Sequence, residues 1–222
     1  VESDAVQIDV NTNFALFYPE KRPFFQAGSD LWDTYFNAIY TRQINNPSAA
    51  GKVLGRSGRT NYGVLAAYDQ NSPILLPFEE RSFVTSNGKS MNSIGRVRSD
   101  LGEQTHLGLV VTDRRYEQGG NGSLVGIDGR LRLNRNYQLE AQYLHSFTTE
   151  PDDTSLTTEV NGETFDDGRY TADFDGETFT GSALYASLER NGRHWSFDLD
   201  YWDRSPTFRA ENGFEGRNSY RE

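Results

Sequence analysis

The chain has 222 residues and a net charge of −10, and only 35% of its residues are hydrophobic. Its mean hydropathy of −0.72 excludes a membrane-crossing helix, which needs roughly 20 apolar residues in a row, but not a β-barrel, whose strands need an apolar residue only at every second position. Cysteine is absent, which rules out disulfides, thiolate metal sites and a cysteine nucleophile.

The first 35 residues read as an irregular segment. From Phe14 to Phe25, aromatics, prolines and charges mix without alternation, and such a segment suits the mouth of a barrel. The start at Val1 shows no basic stretch followed by an apolar one, as expected of a processed chain or an excerpt. From residue 36 onward, period-2 alternation predicts a β-meander. Strands are expected at 36–44, 49–55, 60–70, 91–99, 104–114, 122–133, 137–148, 178–190 and 193–204, with one more starting near Thr207.

The alternation is clearest in four places. Leu107, Leu109 and Val111 share a face, as do Val125, Ile127, Leu131 and Leu133. Tyr137, Leu139, Ala141 and Tyr143 stand against Gln138, Glu140 and Gln142, and Trp195, Phe197, Leu199 and Tyr201 stand against His194, Ser196, Asp198 and Asp200. The turn Asn134-Arg135-Asn136 sets Leu131 opposite Leu139 and Arg130 opposite Glu140. Asn191-Gly192 has the composition of a two-residue hairpin turn. That turn would pair Leu188 with Trp195 and bring His194 to Glu189. A one-residue slip would spoil both matches.

Short turns near 55–58, 100–102, 134–136 and 191–192 alternate with longer connections near 45–48, 70–90, 116–121 and 150–177. Short turns at one end and long loops at the other characterise outer-membrane barrels. About 12 residues per strand at ~3.4 Å each, tilted by ~45°, cover ~29 Å, enough to cross the apolar band. The expected fold is therefore all-β: an antiparallel up-and-down transmembrane β-barrel, partial, of about nine to ten strands. An irregular segment (1–35) would precede a meander (36–222) carrying a long acidic loop at 150–177.

That loop holds ten acids and one base, Arg169, which leaves about −1 for the rest of the chain. A solvated loop is the favoured reading. Weak Ca2+ binding is the alternative, because carboxylate oxygens suit that ion, although no EF-hand spacing is present. The polar face of the meander supplies lumen-facing candidates: Arg96, Arg98, Asp128, Arg130, Arg132, Glu140, Glu189, Asp198 and Asp200. Such a mixed lining can set selectivity, or it can form ion pairs that seal a narrow barrel, and the structural role is preferred. Tyr137, Tyr143, Trp195 and Tyr201 are candidates for an interfacial aromatic girdle. The histidines, His106, His145 and His194, stand far apart and read as structural. Carboxylate pairs such as Asp198 and Asp200 carry no glycosidase signature beyond their presence. No catalytic residue, metal ligand or cofactor is assigned, and no basic patch suggests nucleic acid.

One run is more specific. Phe17-Tyr18-Pro19-Glu20-Lys21-Arg22-Pro23-Phe24-Phe25, followed by Gly28-Ser29-Asp30-Leu31, resembles the hallmark of a bacterial outer-membrane β-barrel family of unknown function. Tyr18 stands where that family has Phe, and Trp32 stands where its last Phe falls. Further matches are Tyr40-Thr41-Arg42, Arg96-Val97-Arg98-Ser99-Asp100-Leu101-Gly102 and Phe208-Arg209-Ala210-Glu211-Asn212-Gly213-Phe214. The resemblance implies the first part of a larger barrel in the bacterial outer membrane, with lipid as its partner. It also implies an upstream family-9-type carbohydrate-binding module, outside this chain, that would supply a carbohydrate ligand. The role would be uptake, surface binding or anchoring. The rival expectations are a soluble all-β carbohydrate-binding or sugar-processing protein and, behind it, a hydrolase.

Overall fold

A computed structural model describes residues 15–222; Phe14 and the rest of the N-terminal stretch lie outside the described residues. Two one-turn helices, α1 (Pro23–Gln26) and α2 (Ser29–Trp32), and a 3-10 turn (Thr41–Gln43) come first. The strands follow: β1 (Pro47–Ser57), β2 (Thr60–Asp69), β3 (Pro73–Pro77), β4 (Ser82–Ser86), β5 (Ser90–Gly102), β6 (Thr105–Tyr116), β7 (Asn121–Arg132), β8 (Tyr137–Thr149), β9 (Thr164–Phe165), β10 (Tyr170–Thr171), β11 (Thr178–Asn191), β12 (Ser196–Arg204) and β13 (Tyr220–Arg221).

The principal sheet has nine antiparallel strands in the order β1-β2-β5-β6-β7-β8-β11-β12-β13. Two small hairpins, β3-β4 and β9-β10, stand apart from it. Among the described residues β1 and β13 pair with no further strand, so the sheet is open at both edges. Excluding β13, its strands run from 9 to 14 residues, which is long for soluble sheets. The β1–β2, β5–β6, β7–β8 and β11–β12 turns lie at one end. The connections at the other end carry both small hairpins.

The expected register at 134–136 is present: Leu131 pairs with Leu139, and Arg130 with Glu140. Other expectations need correction. Residues 36–44 form no strand. Their polar backbone groups find other partners: the Phe36 amide donates to Gln142 Oε1 at 2.7 Å, the Asn37 amide to Glu215 Oε1 at 2.9 Å, and the Tyr40 amide to the Asn212 carbonyl at 2.7 Å. Among the described residues the stretch before the first strand therefore runs to Asn46, past the expected boundary at residue 35. The connection after β11 is four residues, not two, so Leu188 pairs with Leu199, Ala186 with Tyr201 and Glu189 with Asp198. Neither Asn191 nor Gly192 has the positive φ that the tighter turn demands. Because the shift is an even number of residues, every side chain keeps its face, but His194 no longer meets Glu189. The strand expected near Thr207 is also absent, and only Tyr220–Arg221 adds to β12.

The two faces of the sheet differ sharply. One presents Val64, Leu107, Leu109, Val111, Val125, Ile127, Leu139, Tyr143, Leu184 and Leu199, all exposed. The other is overlaid by residues from the 23–46 stretch and by Phe208, which form two packed clusters: Phe36, Ala38, Val110, Leu124, Leu144, Ala183 and Phe208 in one, and Phe25, Trp32, Ile44, Leu65, Ala67 and Ile94 in the other. A third cluster (Ile74, Leu76, Phe78, Tyr116, Val160, Ala172, Phe174) joins the β3–β4 region to the 150–177 loop. That loop is therefore not simply solvated: Thr157, Val160, Ala172 and Phe174 are buried within it.

Candidate functional site

The charged face is built by parity. In β5, β7 and β8 the even-numbered residues turn away from the apolar face, and cross-strand register aligns them with odd positions in β11 and even positions in β12. All nine polar candidates consequently share one face. They divide along the strands. Arg96 and Asp128 are buried beneath the N-terminal segment. Arg98, Arg130, Glu140 and Glu189 are half-buried, and Arg132, Asp198 and Asp200 are exposed toward the short-turn end.

Arg96 reaches across β6 to Asp128, with Nη2 donating to Oδ2 at 2.8 Å and Nη1 to Oδ1. Its Nε donates to the Leu31 carbonyl at 3.2 Å, which ties α2 to the sheet. Gly108 lies between the pair, and a Cβ there would come within 2.6 Å of Arg96 Nη1 and 2.7 Å of Asp128. A bidentate, fully buried pair of this kind fixes geometry more than it adds stability.

Sequence reasoning assigned no such role to several further charged residues. Arg114 on β6 donates to the Gln43 and Glu211 carbonyls, each at 2.9 Å, so one guanidinium holds both covering segments. It also lies 3.7 Å from Asp69, whose carboxylate accepts from the Asn45 and Asn46 amides. Glu211 accepts from the Tyr116 hydroxyl at 2.6 Å. Arg204 pairs with Glu215 at 2.8 Å; burial raises the Glu215 carboxyl against the pull of Arg204 and the Asn37 amide. Arg209 lies 3.6 Å from Glu150. Parity in β6 could have revealed Arg114, which continues the series Val110, Thr112. Glu150, Arg209, Glu211 and Glu215 sit outside any strand, where no period marks them, and Arg204 is the last residue of β12.

The Glu20-Lys21-Arg22-Pro23 run has a structural role. Arg22 donates to Glu20 through Nε (2.9 Å) and Nη2 (2.7 Å), to the Ile44 carbonyl (2.7 Å) and to the Thr41 carbonyl (2.9 Å). Its guanidinium stacks 4.2 Å from the Phe25 ring centroid. Burial alone would raise the Glu20 carboxyl, but hydrogen bonds from Arg22 and Thr41 outweigh it and hold the group at about 2.

The aromatic candidates occupy two levels. Tyr137 meets Phe197 edge to face at the short-turn end, and Trp195 stacks on Phe197 there with Arg190 over its ring at 3.5 Å. Tyr143 and Tyr201 lie exposed further along the apolar face. Trp195 sits in the turn rather than opposite Leu188. At the opposite end, Glu150, Asp175 and Glu177 bring carboxylate oxygens within 4.8 Å of one another, with no histidine among them. Burial raises the Glu150 carboxyl to about 8 despite Arg209, and Glu177 and Asp175 push it the same way.

No family model, curated protein or solved structure matches the chain.

Proposed function

We propose that this chain is part of a bacterial outer-membrane β-barrel, its apolar face toward lipid and its charged face toward the interior, serving uptake, surface binding or anchoring. The observation that carries this reading is the uncovered apolar face. Leu107 (56% exposed), Ile127 (55%) and Leu199 (62%) stand free, while Arg96 (2%) and Asp128 (4%) on the reverse are buried. A soluble sheet does the opposite, and continuous exposed apolar patches of this extent mark membrane or partner contact. A groove on the same face, lined by Leu107, Ile127, Leu131, Leu139 and Tyr143, would accept acyl chains. The two open edges call for further strands, since unpaired backbone is costly in lipid. The segments that cover Arg96 and Asp128 on the charged face support binding, anchoring or gated uptake over an open pore. The Phe17–Phe25 resemblance supports a carbohydrate link through an upstream module.

The test is detergent dependence with gel migration before and after heating. The barrel reading expects a detergent-requiring protein whose unheated form migrates differently. A detergent-free soluble monomer would overturn it in favour of a soluble all-β carbohydrate-binding protein.

A further inference from the structure

We propose that Glu150, Asp175 and Glu177 form a Ca2+ site where β8 ends and β11 begins. Backbone pairing fixes the frame. The Glu150 amide donates to the Glu177 carbonyl at 2.9 Å, and Asp152 bridges to Asp175. Three carboxylates converge within 4.8 Å, and the cation beside them is Arg209, 3.6 Å from Glu150. Once ionised, the three carboxylates exceed Arg209 by two negative charges, which matches a divalent ion.

The second observation is independent of the charge count. The Glu150 side chain is 98% buried, yet neither of its oxygens accepts a hydrogen bond. A buried carboxylate left this way is costly unless something else satisfies it. Nearby, the Thr171 amide donates to Glu177 Oε2 at 2.9 Å, which places Thr171 beside the cluster. Thr171 Oγ1 is likewise buried without a partner. Each of these orphan atoms is an oxygen, as a hard cation requires, and the set lacks the nitrogen and sulfur donors that favour zinc. Ca2+ tolerates an irregular shell of 6–8 oxygens, whereas Mg2+ demands near-ideal octahedral geometry. Asp175 is exposed, so the ion has a route from solvent. The site does not depend on the barrel reading.

The experiment is calorimetric titration of the purified chain, in detergent, with CaCl2 and separately with MgCl2, alongside thermal unfolding. The expected result is one Ca2+ bound with Kd on the order of 0.1–1 mM, as in extracellular modules, a rise in Tm with Ca2+, and at least ~10-fold weaker Mg2+ binding. Asp175→Asn and Glu177→Gln should each weaken Ca2+ binding about tenfold or more, while Glu159→Gln, exposed in the same loop, should leave it unchanged. Asp175 is exposed, so its amide variant should still fold. Absence of Ca2+ binding by the unaltered chain, or unchanged binding by the Asp175→Asn/Glu177→Gln double variant, would overturn the site.

Discussion

Arg96 on β5 and Asp128 on β7 join hands across an intervening strand, over the side-chain-free Gly108. The pair needs three strands in register and one residue without a Cβ. Asp128→Asn should therefore leave a buried, uncompensated guanidinium and cost about 3–5 kcal/mol. Replacing both partners by apolar residues, Arg96→Met with Asp128→Leu, should cost much less. Urea unfolding of the four corners of this double-mutant cycle checks the ordering.

Gly181 is the contact point for the C-terminal covering segment. A Cβ there would lie 2.4 Å from the Phe208 backbone. Gly181→Val should displace residues 205–218 without dissolving the sheet. Limited proteolysis should then cut in that segment, while the β-signal in circular dichroism persists.

On the apolar face, Ile127 separates the membrane reading from its rival. In a lipid-facing position near mid-bilayer, Ile127→Arg should destabilise by about 2–4 kcal/mol. At an exposed position of a soluble sheet the change should stay within about 0.5 kcal/mol. Folding equilibria in liposomes and in detergent-free buffer decide between them.

Glu20 gives a pH signature. Its folded-state value of about 2 lies below the ordinary 4.5, so its contribution is complete above 4.5 and lost as pH falls toward 2. Solvent screening at this partly exposed group reduces the contribution at neutral pH to about 1 kcal/mol. Glu20→Gln should lower stability at pH 7 and flatten the acid limb between pH 4.5 and 2. Chemical denaturation across that range measures both effects.

How much of this could be read from the chain depends on the range of the interaction. Side-chain parity is a property of one extended strand, so alternation alone determined the two faces, most strand positions and the common face of Arg96, Asp128, Arg130 and Glu140. The register at Asn134–Asn136 was legible as well, because a short turn leaves little choice of pairing. Asn191-Gly192 pointed to the right hairpin and the wrong register. Face matching cannot separate registers that differ by an even number of residues, and packing of Arg190, Trp195 and Phe197 accompanies the wider turn. Residues 36–44 carry a strand-like pattern, but an extended segment laid across a sheet shows the same alternation as one paired within it. Only the tertiary structure decided that this stretch covers the charged face, that Arg114 holds it to residues 205–218, and that Glu150 is buried beside Asp175 and Glu177. Those arrangements join residues from about 20 to more than 100 positions apart, and no local period records a contact made at that distance.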